Sequence, residues 1–125
     1  MLSLSTMKSV SWNVRGINVS NKRDKIHNFL ESSKADIILL QETKLSQEAF
    51  QKSMAKWSRW SSVHSPSIGA SRGLVVLWNP LTIQGHLIQQ QTNWQILHVL
   101  DFHIYFTLFN VYGPISTQDK LKTWE

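Results

Sequence analysis

The hydrophobic pattern of residues 8–42 predicts a strand, a helix and a second strand. Residues 8–14 alternate between polar and apolar side chains, as a half-buried strand does. Residues 22–33 have the apolar spacing of an amphipathic helix, with Asn21 as its candidate N-cap. Residues 37–40 are large aliphatics and predict a strand buried on both faces, as in a sheet covered by helices. The two strands should be parallel, because a helix joins them. The side chains expected to face the core are Val10, Trp12, Val14, Ile26, Phe29 and Leu30.

The pattern beyond residue 42 predicts one more full helix and several strands. Ser46 is a candidate N-cap for a helix over 47–56. Proline, glycine and serine predict a loop over 65–72. The last two strands should form a hairpin about residues 101–102. The predicted strands are 59–64, 73–78, 82–90, 95–100 and 103–112, with a helix start at Ser116.

The composition is that of one globular domain, or part of one. Of 125 residues, 42% are apolar and 17% are charged. No apolar run approaches the roughly 18 residues that span a bilayer, so a membrane protein is excluded. The first ten residues lack the charged and apolar regions of a secretory signal, and we expect a protein that is not secreted. The absence of cysteine excludes disulfides, zinc-thiolate sites and thiol catalysis.

Charge is concentrated in the first part of the sequence. Residues 1–72 contain eleven basic and five acidic residues, a net charge of +6, whereas residues 73–125 carry −1. Lysine and arginine are absent between Gly73 and Asp119, so we expect most of that stretch to be buried sheet. The basic part has two interpretations: solvated helix faces, or a surface for a phosphate backbone. Two tryptophans next to basic residues, Trp57 and Trp60, also have two interpretations: they are part of the core, or they stack on nucleic-acid bases.

Polar residues occur where the predicted strands end. Asn13 lies at the end of the first strand, Glu42 follows the aliphatic strand, and Asn110 and Tyr112 close the last one. Ligands of parallel α/β sheets bind at the carboxyl ends of strands, and Mg²⁺ needs only one or two protein carboxylates. Each residue also has a structural interpretation: a solvated glutamate, a turn-forming asparagine, or a half-buried tyrosine. The pattern alone leaves both readings open.

Taken in order, four motifs resemble the endonuclease/exonuclease/phosphatase superfamily. The nearest branch is the apurinic-type endonuclease domain of plant LINE-type (non-LTR) retrotransposons. In that branch, the endonuclease domain accompanies a reverse transcriptase. The Gln-Glu-Thr-Lys motif after a buried strand is fairly specific, and the order and spacing of all four motifs strengthen the resemblance. The motifs are SWNVRGIN at 11–18, ADIILLQETK at 35–44, SRGLVVLW at 71–78 and NVYGP at 110–114.

The resemblance implies an α/β protein, part of a four-layer α/β/β/α sandwich whose C-terminal half is missing. It implies Mg²⁺, with Mn²⁺ as a substitute, and DNA as partner, without a membrane. Glu42 would be the metal ligand, and Asn13 would help to position the metal-bound phosphate. Tyr112 would bond the scissile phosphate, supported by Asn110. The loop residues near the substrate would be Arg72 and Gly73.

The chain also departs from the superfamily pattern. Arg15 stands where many apurinic-type members have an acidic residue, and the later motifs with the catalytic Asp and His are not present. We therefore expect a flexible N-terminus over 1–7 and, over 8–125, the first portion of a DNA-nicking domain that is inactive alone. The alternatives are a phosphatase acting on lipid or nucleotide esters, and a non-catalytic nucleic-acid-binding remnant using the helices of 22–59. A working retrotransposon endonuclease would act in the nucleus.

Overall fold

The computed structural model describes residues 7–17, 20–69, 71–101 and 104–112. Its elements alternate between helices and strands in the first half, and only strands follow. They are β1 (Ser9–Asn13), α1 (Ser20–Ser33), β2 (Ile37–Gln41), α2 (Gln47–Ser53), β3 (Ser61–Ser65), β4 (Leu74–Trp78), β5 (Gln84–Gln90), β6 (Trp94–Asp101) and β7 (Ile104–Val111). The predicted helix start at Ser116 lies outside the described residues.

The strands form two sheets. The first has the order β1-β2-β4-β3 and the second the order β5-β6-β7. β1 and β2 are parallel, as the strand–helix–strand pattern predicts, with Asn13 opposite Gln41. β4 runs antiparallel to β2 and places Leu74 opposite Gln41. The end of β1, the end of β2 and the start of β4 therefore meet at one edge of the first sheet, which we call the site edge.

The aliphatic strand β2 is buried on both faces, as its sequence predicts. Ile38 and Leu40 pack in a core with α1 and α2, whereas Ile37 and Leu39 pack in a second core against the other sheet. A helix layer thus covers one face of β2 and the second sheet covers the other, so the strand is buried on both faces as predicted, although helices cover only one of them. The arrangement is the helix, sheet and sheet of a layered α/β sandwich.

The second sheet differs from the expectation that residues 73–119 are mostly buried. Its inner face is buried, with Gln95, Leu97, Val99 and Asp101 alternating along β6. Its outer face is not, because alternate residues of a strand point to opposite faces and no described element covers that side. The large apolar side chains exposed on this sheet are Ile88, Ile104, Tyr105 and Phe109.

The helix boundaries depart from those predicted. α1 begins at Ser20, so Asn21 lies inside the helix and is not its N-cap. Ser46 does cap α2, accepting a hydrogen bond from the Ala49 amide at 3.1 Å, but α2 ends at Ser53. The strands agree with the predicted ranges within about two residues, which is the usual uncertainty of strand and helix ends.

The tryptophans beside basic residues belong to the core. Trp57 is 1% exposed and Trp60 is 6% exposed, both packed against α1, α2 and the first sheet. Neither indole face is free, so stacking of nucleic-acid bases on these rings is excluded. Phe29, predicted to be buried, is 39% exposed and packs edge-on against Trp12 at the open side of β1.

Candidate functional site

Three chain segments continue to pair beyond the ends of their strands at the site edge. The Gly16 amide donates to the Glu42 carbonyl at 2.6 Å, and the Ile17 amide donates to Thr43 at 2.8 Å. On the other side, the Thr43 amide donates to Gly73 at 3.0 Å. Residues 42–44 therefore lie between the segment after β1 and the segment before β4. The backbone of Glu42 is held from both sides.

The site edge contains most of the left-handed backbone of the described residues. Arg15, Glu42, Lys44 and Arg72 have φ values of 52°, 57°, 58° and 67° without being glycine. Such conformations are unfavourable for residues with a Cβ, and they persist where the surroundings enforce them. Gly73, with φ 99°, has no room for a Cβ because that atom would overlap Thr43 Oγ1 and lie 2.9 Å from the Lys44 nitrogen. The strain marks the edge as a candidate site.

Glu42 and Asn13 are neighbours on this edge. Asn13 pairs in register with Gln41, directly before Glu42, and Asn13 Oδ1 accepts a hydrogen bond from the Arg15 amide at 3.1 Å. Glu42 is half-buried, and no hydrogen bond or ion pair reaches its carboxylate from the described residues. Its oxygens are therefore available to a ligand. Together the two side chains offer one carboxylate and one amide oxygen, which are hard donors of the kind that suit Mg²⁺.

The site has few other metal ligands. Within the described ranges, there is no cluster of three or more His, Cys, Asp or Glu side chains that could hold a metal ion. A Mg²⁺ ion bound by Glu42 would take its remaining ligands from water and substrate phosphate, as Mg²⁺ commonly does. The donor set thus fits a weakly held, substrate-dependent magnesium ion.

Arg72 and Tyr112 both reach the turn between β5 and β6. The Arg72 guanidinium donates from Nη1 to Asn93 Oδ1 at 2.7 Å and to Thr92 Oγ1 at 3.1 Å. The Tyr112 amide donates to the Asn93 carbonyl at 2.8 Å. Tyr112 is half-buried, and its position beside the Arg72 loop joins the second sheet to the site edge.

Asn110 lies just inside this edge, between the sheets. It is 1% exposed, and its Oδ1 accepts a hydrogen bond from Gln41 Nε2 at 2.8 Å. Its Nδ2 donates to the carbonyls of Leu40 at 3.3 Å and Val75 at 3.2 Å. Asn110 is thus closed off from solvent and bonded to the strands that carry the site.

The structure thus groups the site residues predicted from sequence. Asn13, Glu42, Arg72 and Gly73 line one edge, Asn110 connects to that edge through Gln41, and Tyr112 connects through Asn93. Their chemical roles stay predictions. Sequence reasoning missed four polar residues that hold the group together, namely Thr43, Asn93, Gln95 and Gln90. A glutamine at an inward position of an alternating strand was the available signal for Gln95.

Cations surround the turn after β1. The Lys22 ammonium donates to the Gly16 carbonyl at 3.2 Å, and the aliphatic part of Lys44 lies so close to Gly16 that a Cβ there would be 3.0 Å from Lys44 Cδ. Arg15 is adjacent and exposed. The ion pairs found among the described residues involve other cations, so these three and Arg72 remain available to an anion. The ion-paired cations are Lys52, Lys56 and Arg59.

The family model of the Endonuclease/Exonuclease/phosphatase family matches residues 10–121. This match covers most of the 125 residues, and the chain therefore belongs to that family. No curated protein sequence matches the chain significantly. In the part of the chain that the structure describes, no helix is long and apolar enough to cross a membrane.

Solved structures of similar fold span about twice the length of this chain. A humanized D. rerio TDP2 carrying 14 mutations superposes with a TM-score of 0.73 and 16% identity, over 94% of this chain and 57% of its own. The AP endonuclease LMAP from Leishmania major gives 0.67 and 18%, over 86% and 40%. The 3′ phosphatase NExo (D146N) from Neisseria, bound to a product DNA hairpin, gives 0.61 and 21%, over 95% and 48%. The two-sheet α/β fold is therefore that of the family, of which this chain spans about half.

Proposed function

We propose that the chain is the N-terminal part of a Mg²⁺-dependent endonuclease that nicks DNA, of the type carried by LINE-type retrotransposons. The observation that carries the proposal is the position of Glu42. Its carboxylate is free of protein partners among the described residues, on a left-handed turn fixed from both sides. The matching structures include an AP endonuclease and a 3′ phosphatase bound to DNA, which supports a phosphate ester of DNA as substrate. A retrotransposition role would place the protein in the nucleus.

Each site residue has a role in this proposal. Glu42 holds the metal ion, and the Asn13 amide, oriented by its bond with the Arg15 amide, contacts the metal-bound phosphate. The Tyr112 hydroxyl donates to the scissile phosphate. Arg72 keeps its loop fixed to Asn93 and presents positive charge to the strand. The metal, when bound, would neutralise charge that develops on the phosphoryl and leaving oxygens.

The charge distribution favours DNA at the site edge over the helix faces. Two cations after α2 are neutralised by acids of α1, since Lys56 pairs with Asp24 and Arg59 pairs with Glu31 at 2.8 Å. The cations around Gly16 carry no such partner within the described ranges. Phosphates of a DNA strand crossing the edge would meet Lys22 and Lys44 before they reach Glu42. The chain alone supplies one carboxylate, so we expect weak metal binding and no nicking by this chain by itself.

The test is metal binding and nicking by purified chain, comparing Glu42→Ala with Glu48→Ala. Glu48 is a matched control because it is an exposed acid on α2, in a salt bridge with Lys52 at 3.9 Å. Titration with Mn²⁺, followed by electron paramagnetic resonance, should detect a weak site that Glu42→Ala removes and Glu48→Ala keeps. Equal Mn²⁺ binding by both variants would refute the metal-ligand assignment. Nicking of supercoiled plasmid with Mg²⁺, absent with EDTA and in Glu42→Ala, would show that the chain alone is active.

DNA binding is tested separately by fluorescence anisotropy with a short duplex. Lys22→Ala should weaken binding several-fold and reduce the salt dependence, since each phosphate contact adds about one unit to the slope of log K against log salt. Lys52→Ala is the control, since that lysine is paired with Glu48 on the helix face. A larger effect of Lys52→Ala would instead favour binding through the helices.

A further inference from the structure

Four amide side chains form a continuous hydrogen-bonded chain between the two sheets, which we call the amide chain: Gln41, Asn110, Gln95 and Gln90. Gln41 Nε2 donates to Asn110 Oδ1 at 2.8 Å, and Asn110 Nδ2 donates to Gln95 Oε1 at 3.0 Å. Gln95 Nε2 then donates to Gln90 Oε1 at 3.2 Å. Every amide therefore points its oxygen and nitrogen in one defined direction.

The amide chain contacts every strand of both sheets. Its four members come from β2, β5, β6 and β7. The remaining strands are reached through Ser11 Oγ of β1, the Val63 and His64 carbonyls of β3, and the Leu74 and Val75 carbonyls of β4. The contact distances range from 3.0 Å for Ser11 to 3.4 Å for Leu74.

This arrangement restricts how the sheets can pack. Gln95 is 0% exposed and Asn110 is 1% exposed, so neither finds water if its partner moves. A buried amide without a partner costs about 1–3 kcal/mol, whereas the hydrophobic effect has no direction of its own. The apolar contacts between the sheets supply attraction, and the amide chain selects one relative position.

The selected position bears directly on the site edge. Gln41 is the residue before Glu42, and Leu74 is the residue after Gly73. The strand that leads into the Glu42 turn and the segment before β4 that holds this turn are thus each tied to the amide chain. Moving the second sheet would also displace Asn93, to which Arg72 and Tyr112 are bonded.

We propose that Gln95, with Gln41 and Gln90, positions the Glu42 turn for its ligand by locking the second sheet against the site edge. The inference rests on the proposed function, because it assigns these amides to the metal-binding edge. They are positioning residues, since they act through Gln41 and the strand backbones. If these amides position the turn, their loss should loosen its backbone hydrogen bonds, and this can be measured without any metal.

The experiment is amide hydrogen exchange by NMR on Gln95→Leu, with Gln89→Leu as matched control on an exposed position of the same sheet. Exchange at Gly16, Thr43 and Lys44, whose amides bond across the site edge, should accelerate about tenfold or more in Gln95→Leu. Exchange at two amides of the opposite edge should change far less. Those amides are Asp36, bonded to Lys8 at 2.7 Å, and Asn79, bonded to Asp36 at 2.9 Å.

The outcomes separate positioning from general destabilisation. Equal acceleration at both edges, or none at the site edge, would overturn the proposal. If Gln95→Leu does not fold, the half-buried Gln90→Leu provides the same comparison. In the variant whose site-edge amides lose protection from exchange, Mn²⁺ affinity should fall about fivefold or more. If such a variant bound Mn²⁺ as tightly as the wild type, the proposal would also be overturned. If wild-type protein binds no Mn²⁺, the proposed function fails, and the exchange pattern still decides whether the amides hold the turn.

Discussion

Arg72 and Asn93 join the two sheets across the open end of the sandwich. The guanidinium donates to Asn93 Oδ1 at 2.7 Å and the Asn93 carbonyl accepts the Tyr112 amide at 2.8 Å. Asn93 therefore connects two residues of the candidate site that are 40 positions apart in the sequence. The Arg72 backbone, with φ 67°, is held separately, because its carbonyl accepts a hydrogen bond from the Lys44 amide at 2.7 Å.

Replacing Arg72 by lysine should loosen this connection. A lysine keeps the charge but lacks the rigid planar group that directs both N–H bonds of Nη1 to Thr92 and Asn93. We expect a loss of about 1 kcal/mol in the free energy of unfolding, measured by urea denaturation. The control is Lys25→Arg, an exposed position on α1 that should be neutral. Unchanged stability of Arg72→Lys would mean that the contact with Asn93 is energetically unimportant.

Substitution of Gly73 should be severely destabilising. Gly73→Ala introduces a Cβ that overlaps Thr43 Oγ1 and approaches the Lys44 nitrogen to 2.9 Å, at a backbone φ of 99°. A loss of about 3 kcal/mol is expected, from strain together with displacement of the Thr43 segment. Gly69→Ala is the matched comparison, with φ 56° and open space around the new methyl group. It should lose only about 1 kcal/mol, and a similar loss in both variants would contradict the steric argument.

The core between helices and first sheet should be sensitive to truncation. Leu40 is 0% exposed and packs with Ile38 and Val75. Leu40→Ala should cost about 2–5 kcal/mol through lost transfer energy and the cavity it leaves. Leu81→Ala, at a position 91% exposed, should change stability by less than about 0.5 kcal/mol. Thermal unfolding followed by circular dichroism measures both.

His64 should make the fold sensitive to mild acid. Its ring stacks on Phe50 with centroids 4.1 Å apart, and burial lowers the pKa of His64 from 6.5 to about 4. Because the folded pKa lies below the unfolded value, the stability contribution is complete above pH 6.5 and is lost as the pH falls toward 4. We expect the free energy of unfolding to fall by about 3 kcal/mol across that window.

The pH dependence should belong to this histidine. The free energy of unfolding can be measured by urea denaturation at pH 7, 5.5 and 4.5. Relative to its own value at pH 7, it should decline less for His64→Gln than for the wild type. His86→Gln, at an exposed position of β5, should decline as the wild type does. If His64→Gln keeps the full decline, the acid sensitivity arises from other groups.

The local sequence determined much of the fold. The four aliphatics of β2 have no polar face, so only a position between two apolar layers can accommodate them. The strand–helix–strand order set β1 and β2 parallel, and Ser46 capped α2 because a serine oxygen can satisfy a free amide of the first turn. Hydrophobic spacing and capping act within a few residues, so β2 and the cap of α2 could be predicted from sequence, although the cap predicted for α1 at Asn21 was wrong.

Tertiary structure decided the rest. The sequence placed Glu42 at a strand end. Only backbone pairing with two distant residues, Gly16 and Gly73, holds that end as a left-handed turn. The alternation of β6 indicates that Gln95 points inward, but the partners that it bonds are set only when the two sheets pack. Burial of Trp57 and exposure of Phe109 were likewise decided by which faces the packed layers cover. The physical reason is that burial and hydrogen-bond pairing depend on partners distant in the chain, whereas propensity and periodicity do not.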